Sequence, residues 1–204
     1  MKPFNEQIPN STNQSNAIAV TENFLKEVIE YIKIGNFKKV RFLLSQSLLN
    51  LNDTMGKEIL QALPTEMNKL KPRDLYDDFI DLAKSDDWVN AKRNYKKTKR
   101  NDKDYLSIIV YVSPSTTSNL QARINSPSLL NPKKEELVEI TPGLINALVT
   151  FNTYSEIPNI SFEIPFNNFY IKISGYGTES NKKSLLDHIS KIDFEKIKTA
   201  VKLD

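Results

Sequence analysis

Cysteine is absent from the 204-residue chain, and histidine occurs only once, as His188. Disulfides, thiolate metal sites and a cysteine nucleophile are therefore excluded. No apolar run reaches the length of about 18 residues that a membrane-spanning helix needs. Residues 1–16 are polar and lack the apolar core of a secretory signal. The formal charge of +3 is too weak to indicate a polyanionic partner, so any electrostatic contact must come from a local cluster.

The remaining composition is that of a globular chain, with 39% hydrophobic and 26% charged residues. This length suits one domain of ordinary size with a small helical appendage. We expect a soluble cytoplasmic protein if Met1 is the natural start. A polar lead rich in Asn and Ser also suits a tether behind a removed signal or lipid anchor, which would place the protein in the periplasm or cell envelope.

The first third of the chain predicts a disordered leader followed by helices. Residues 1–17 are polar, contain two prolines and show no periodicity, which is typical of disorder. Thr21 has the character of an N-cap, and apolar residues at helical spacing follow it until Gly35 supplies a stop. Residues 18–64 therefore predict an antiparallel helical hairpin and a short third helix at residues 55–63.

A run of acids, Asp74, Asp77, Asp78 and Asp81, follows Pro72 and alternates with apolar residues. The spacing predicts a short helix after the proline, with its first acids near the positive end of the helix. Carboxylates such as Asp77 and Asp81, about one turn apart, could hold a hard divalent cation. The loop spacing of a dedicated calcium site is missing, so a solvated helix face is the favoured interpretation.

From residue 88 onwards the apolar pattern changes from helical to strand-like. Six strands are predicted, at residues 88–97, 105–112, 137–141, 145–154, 160–165 and 169–174. Asn167-Asn168 favours a hairpin between the last two strands, because Asn tolerates positive φ. Weak helical periodicity at residues 115–130 separates the second strand from the third. Two further helical stretches close the sheet domain, residues 65–204.

These elements predict an α+β fold, in which the helical hairpin precedes a mostly antiparallel sheet of five or six strands with helices packed on it. The nearly continuous apolar run at residues 108–112 is expected at the centre of that sheet. Replacing Ile109 with Asp is then expected to abolish folding, because an unpaired buried charge is very costly. The predicted core contains Phe24, Val28, Leu43, Leu48, Ile109, Tyr111, Leu148, Phe162, Ile171, Ile173, Leu185 and Ile189.

The strongest local signal is a basic cluster near the first predicted turn of the sheet. It consists of Lys92, Arg93, Lys96, Lys97, Lys99, Arg100 and Lys103, with Tyr95 and Tyr105 interleaved. One interpretation is contact with the phosphates of a nucleic acid or another polyanion, with the tyrosines as stacking partners. The other is a solvated turn whose lysines protect an edge strand from aggregation. Nearby aspartates dilute the positive field, which favours the second interpretation.

Two weaker signals lie near the end of the chain. His188 is next to Asp187, and Ser184 precedes it by one helical turn. A Ser-His-Asp triad needs its serine on a strained turn beside an oxyanion hole, and no Gly-x-Ser-x-Gly occurs, so a histidine beside the core is favoured. The segment Gly175-Tyr176-Gly177 lacks the third glycine of a dinucleotide fingerprint and predicts only a strand-to-helix turn.

The order of elements resembles that of a known group of proteins. The residues that carry the likeness are Ala62-Leu63-Pro64, Arg93-x-Tyr95, the strand 106–112, Tyr170-Ile171-Lys172-Ile173-Ser174-Gly175 and Lys191-Ile192-Asp193-Phe194. This layout resembles small bacterial envelope-associated proteins of unassigned function and is similar in plan to the Mog1/PsbP-like fold. The resemblance covers about residues 62–203. It implies a non-enzymatic binding or accessory role and carries over no catalytic residue.

The sequence has clear helix and strand patterns but no set of reactive side chains expected to meet at one site. This combination favours a non-catalytic protein-interaction or accessory module with an unidentified partner and no cofactor. The first alternative is nucleic-acid or polyanion binding through residues 92–103. The second alternative is a divalent-metal enzyme that uses Asp77 and Asp81.

Overall fold

The computed structural model describes residues 11–72, 78–81, 89–96, 104–141, 145–152 and 159–201. The chain divides into two compact units, Met1–Met55 and Gly56–Asp204. Among the described residues, no helix is both long enough and apolar enough to cross a membrane.

The first unit is the predicted helical hairpin. Helix α1 spans Ser11–Lys33, and helix α2 begins at Phe37 and ends at Ala62. Gly35 makes the turn between them with φ of +71°, a conformation that glycine adopts without steric cost. The helices pack through a small seam of Val28, Val40 and Leu43, with the partly buried rings of Phe24 and Tyr31 against it.

Three sequence predictions for this region need correction. Helix α1 begins at Ser11, so residues 11–17 are helical and Thr21 lies inside the helix, because no proline or glycine occurs between Pro9 and Gly35. The predicted third helix is not separate but is the last part of α2, which runs without a break to Ala62. Leu48, predicted as core, is 60% exposed.

The second unit contains an antiparallel sheet with helices, which confirms the α+β class. Its strands are β1 (Asp78–Asp81), β2 (Val89–Lys96), β3 (Tyr105–Val112), β4 (Glu135–Thr141), β5 (Ile145–Asn152), β6 (Asn159–Pro165) and β7 (Phe169–Tyr176). Their spatial order is β1-β2-β3-β7-β6-β5-β4, and every neighbouring pair is antiparallel. The sheet therefore has one strand more than the sequence predicted.

The extra strand, β1, replaces part of the helix predicted after Pro72. Its Asp78 forms an ion pair with Arg93 of β2, which draws the segment onto the sheet edge. Gly56 of α2 gives room for Ile80, since a Cβ atom at Gly56 would lie 2.6 Å from Ile80 Cγ2. These tertiary contacts outweigh the helical spacing of the sequence.

The helices of the second unit lie in the connections of the sheet and after it. Helix α3 (Pro114–Ile124) and a short 3-10 helix (Pro127–Leu129) occupy the predicted helical region between β3 and β4. After β7 come a 3-10 turn (Gly177–Glu179), helix α4 (Lys182–Ile189) and helix α5 (Phe194–Val201).

The two faces of the sheet differ in character. One face, here called the core face, carries fully buried side chains such as Tyr95, Ile108, Val110 and Ile173. The opposite face packs against α3 only at one end, where Leu120 and Ile124 contact Leu148 of β5 and the ring of Tyr170. Ile109 and Tyr111, predicted as core, lie on this second face and are only partly buried.

Candidate binding face on the sheet

The pairing register of strands β2, β3, β7 and β6 places a row of small polar residues on the face opposite the core face. Ser107 of β3 lies opposite Ser174 of β7, and Ser174 lies opposite Ser161 of β6. On the other side of Ser107, β2 contributes Asn94 to the same row. The three serines are only 3–5% exposed, because larger side chains stand on both sides of them.

Those larger side chains form two walls. The wall nearer the β2–β3 connection contains Lys96, Tyr105, Tyr176 and Asn159, and the other wall contains Lys92, Ile109, Lys172 and Glu163. We call the row of small residues between them the serine trough. The trough crosses four strands, a length of about 14 Å, and its walls are four residues apart along each strand, about 13 Å between backbones.

A stacked pair of tyrosines forms the middle of the first wall. The rings of Tyr105 and Tyr176 lie 4.1 Å apart and are 12° from parallel. Burial, together with the neighbouring Tyr176, raises the pKa of Tyr105 to about 12, so its hydroxyl stays protonated at neutral pH. The pair therefore presents an aromatic surface with a neutral hydroxyl, a combination that is enriched at protein interfaces.

Both walls of the trough carry charged side chains. Lys172 Nζ lies 2.9 Å from Glu163 Oε1 in a partly buried ion pair. Burial lowers the pKa of Lys172, but the carboxylate of Glu163 more than offsets this, and the net shift is upward. Lys92 and Lys96 are the other two described lysines of the walls, one in each wall.

Within the described residues, three buried oxygen atoms on this face have no hydrogen-bond partner. They are Ser107 Oγ and Asn94 Oδ1 in the floor of the trough, and Asn90 Oδ1 further along β2. A buried polar atom without a partner costs roughly 1–3 kcal/mol, and such atoms are few in native proteins. A ligand that supplies hydrogen-bond donors would relieve this cost.

The structure separates the residues of the predicted basic cluster. Lys92 and Lys96 lie on the trough face, but Arg93 points to the core face. Its guanidinium donates to Asp78 Oδ1 at 2.6 Å and to the carbonyl oxygen of Leu63 at 3.1 Å. Arg93 therefore cannot contact a ligand together with the two lysines.

Other members of the cluster are placed differently. Tyr95, predicted as a stacking partner, is fully buried in the core, where its hydroxyl donates to the carbonyl oxygen of Pro64 at 2.7 Å. Lys97, Lys99, Arg100 and Lys103 lie outside the described residues.

The described acids of the predicted metal site lie on a strand and not on a helix. Asp78 is held by Arg93, and Asp81 belongs to strand β1 rather than to a helix. Asp77 lies outside the described residues. Within the described ranges, no group of three or more His, Asp or Glu side chains could hold a metal ion.

His188 is buried and takes part in a polar cluster without the geometry of a catalytic triad. Its Nε2 lies 3.1 Å from Glu179 Oε2, and Ser184 Oγ donates to that same oxygen at 2.8 Å. Asp187 accepts instead from Asn68 and Lys191. Because the serine contacts the carboxylate and not the imidazole, the histidine cannot take its proton directly. The cluster links α4 to the turn after β7.

We expect His188→Ala to lower the free energy of unfolding by about 3 kcal/mol, because it leaves the buried Glu179 carboxylate without its imidazole partner. Urea denaturation followed by circular dichroism measures this. Asp187→Ala is the matched control, since its carboxylate is exposed, and we expect a change within about 0.5 kcal/mol. Equal losses in both variants would contradict a structural role for the buried cluster.

The serine row was not predicted from sequence, although one part of it could have been. The two-residue turn Asn167-Asn168 makes Phe166 and Phe169 partners, and Phe166 N donates to Phe169 O at 2.8 Å. Counting back from that turn places Ser161 opposite Ser174. The third serine comes from β3, whose pairing with β7 no turn specifies.

The serine trough thus combines stacked tyrosines, lysines in both walls and, within the described residues, two buried oxygen atoms without a partner. No family model, curated protein or solved structure matches the chain.

Proposed function

We propose that the protein is a non-catalytic interaction module that binds an extended, acidic polypeptide segment along the serine trough. The observation that carries this proposal is the row of Ser and Asn side chains between two walls of larger residues, in which Ser107 Oγ and Asn94 Oδ1 are buried without a partner among the described residues. The resemblance in plan to Mog1/PsbP-like proteins, which implies an accessory role, agrees with it.

The hydrogen-bonding capacity of the floor favours a polypeptide over a phosphate chain. Asn94 Oδ1 in the floor is an acceptor, so a ligand must bring a donor to satisfy it. Backbone N–H groups of an extended peptide are such donors, whereas phosphodiester oxygens only accept. Tyr105 and Tyr176 suit the same ligand, because tyrosine supplies large contact area at low conformational cost.

The acidic character of the proposed segment follows from the lysines of the walls. Lys92 and Lys96 are partly exposed on the trough face, and their charge would attract carboxylates and speed association. Charge reversal at both positions should therefore slow binding without touching the core.

A site-specific photo-crosslinker in place of Tyr105 tests the proposal. Irradiation in the source lysate, after nuclease treatment, should yield protein adducts, and Lys92→Glu/Lys96→Glu in the same background should reduce them about tenfold. The matched control carries the crosslinker at Lys183, which is exposed on helix α4, and should give different adducts or none. Mass spectrometry of the adducted peptides identifies the segment. Identical adducts from both positions, or adducts indifferent to charge reversal, would refute the proposed site.

A second candidate function is single-stranded nucleic-acid binding, favoured by Lys92 and Lys96 beside the stacked rings of Tyr105 and Tyr176. Fluorescence anisotropy with a labelled 12-nucleotide oligothymidylate measures it directly. If this function is correct, affinity should fall steeply between 50 and 200 mM salt and also on reversal of the two lysines. Absent or salt-independent binding would remove this candidate and leave the polypeptide.

A further inference from the structure

The helical hairpin carries large apolar side chains that its own seam does not bury. Six of them are between 41% and 60% exposed, Leu25, Ile29 and Ile32 on α1 and Leu44, Leu48 and Leu51 on α2. Within each helix the three positions follow the spacing i, i+4, i+7, so they form one stripe along the helix. We call these six residues the hairpin face. Phe37, Phe42 and Leu49 of α2 are exposed as well.

Both stripes lie on the same side of the hairpin. Each stripe is displaced by one residue, about 100°, from the positions that form the seam: Leu25 and Ile29 follow Phe24 and Val28, and Leu44 follows Leu43. In both helices the stripe lies one residue closer to the C-terminus than the seam. The rotation from seam to stripe therefore has the same sense when each helix is viewed from its own N-terminus. Because the two helices are antiparallel, the displacements carry both stripes to the same side. The six side chains therefore form one continuous apolar surface.

The charges beside this surface indicate what covers it. The outer rim of α1 carries Glu22, Lys26, Glu30 and Lys33, all exposed, at spacings of four, four and three residues. The charges alternate in sign along the helix. An antiparallel copy of the helix therefore presents a positive charge where this one has a negative charge, and the reverse. An antiparallel copy of α1 centred near Val28 would place Glu22 beside Lys33 and Lys26 beside Glu30 of the other chain. Within one chain Lys33 Nζ already lies 2.7 Å from Glu30 Oε1, and the alternating charges of the rim are in addition complementary to those of an antiparallel copy.

We propose that the hairpin face binds a second copy of this chain about a two-fold axis, so that two hairpins form an antiparallel four-helix bundle. A two-fold interface uses the same patch on both copies, which requires a self-complementary surface. The hairpin face supplies the apolar core of such a bundle, and the alternating rim of α1 supplies its register. The proposal is independent of the serine trough, because it involves a different unit of the chain.

Light scattering coupled to size exclusion, on the full chain from 1 to 100 µM, measures the oligomeric state. We expect twice the chain mass of 23.4 kDa, and a monomer for Ile29→Glu/Leu48→Glu, whose changes are exposed and should leave the helix content intact by circular dichroism. Leu129→Glu is the matched control, since Leu129 is 72% exposed outside the hairpin, and it should remain dimeric. A wild type that stays monomeric at 100 µM, or a dimer that survives Ile29→Glu/Leu48→Glu, would overturn the proposal.

Rim exchange tests the antiparallel register independently of the apolar residues. Glu22→Lys/Glu30→Lys makes the rim wholly positive, and Lys26→Glu/Lys33→Glu makes it wholly negative. At 20 mM salt each variant alone should dimerise at least about tenfold more weakly than the wild type, because like charges meet across the axis. Mixed together, the two variants should form a heterodimer, detected by native mass spectrometry after one is isotopically labelled. A statistical mixture of homodimers and heterodimers would refute the proposed register.

Discussion

Ile108→Asp should abolish cooperative folding of the sheet unit, whereas Ile109→Asp should leave it folded. Ile108 is completely buried on the core face of β3, where an unpaired carboxylate has no partner and incurs several kcal/mol of desolvation cost. Ile109 lies on the other face, directly between Lys92 of β2 and Lys172 of β7. A carboxylate there would face two ammonium groups across the strands, an arrangement that stabilises a sheet.

The measurement is urea denaturation of both variants, followed by circular dichroism, with two-dimensional amide NMR spectra to report folding. We expect no cooperative transition for Ile108→Asp, and a loss of about 1 kcal/mol or less for Ile109→Asp. This reverses the expectation from sequence, in which Ile109 was the buried residue. A folded Ile108→Asp, or an unfolded Ile109→Asp, would show that the two faces of β3 are exchanged.

Gly175→Ala should be the most damaging single-methyl change in the sheet unit. A Cβ atom at Gly175 would lie 2.1 Å from the backbone oxygen of Glu179 and 3.0 Å from Leu185 Cδ2. Backbone cannot move aside as the end of a flexible side chain can, so the turn after β7 would have to shift together with α4. We expect a loss of about 3 kcal/mol or more, at the upper end of the range for overpacking.

The control is Gly35→Ala, at a position with φ of +71° and no neighbouring atom within 4 Å of a new Cβ. Only the left-handed backbone conformation opposes that change, at a cost of about 1–2 kcal/mol. Thermal denaturation followed by calorimetry compares the two variants with the wild type. A Gly175→Ala protein as stable as the Gly35→Ala protein would contradict the close approach of the Glu179 carbonyl.

The fold could be predicted wherever local pattern and tertiary contact agree. Strands β2 to β7 and helices α3 to α5 follow from alternation, from prolines and from the Asn167-Asn168 turn. Strand β1 could not be predicted, because its acids and the preceding Pro72 imitate a helix start. Strand β1 is held by the ion pair between Asp78 and Arg93 and by the space that Gly56 leaves for Ile80. Both contacts involve residues that are distant in sequence from β1.

The candidate site was less accessible from sequence than the fold. In β3 the five consecutive residues 108–112 are all apolar. Alternation of polar and apolar residues therefore cannot show which of them face the core. The basic cluster drew attention by composition, but strand alternation sends Lys92 and Lys96 to one face and Arg93 to the other. Nothing in the sequence distinguishes the serines of the trough, and only the pairing register of the strands places them in one row.

The strand order has a consequence for how the chain folds during synthesis. Strands β1 to β3 form one group and β4 to β6 another, and β7 lies between β3 and β6 as their shared neighbour. A nascent chain can pair each group locally but cannot join them until residues 169–176 leave the ribosome. Until then, the inner edges of β3 and β6 carry unpaired backbone groups beside fully buried side chains such as Ile108 and Phe162. A product truncated before β7 therefore exposes two unpaired sheet edges, and the interval between the synthesis of β6 and the emergence of β7 is the one in which the sheet unit depends most on chaperones.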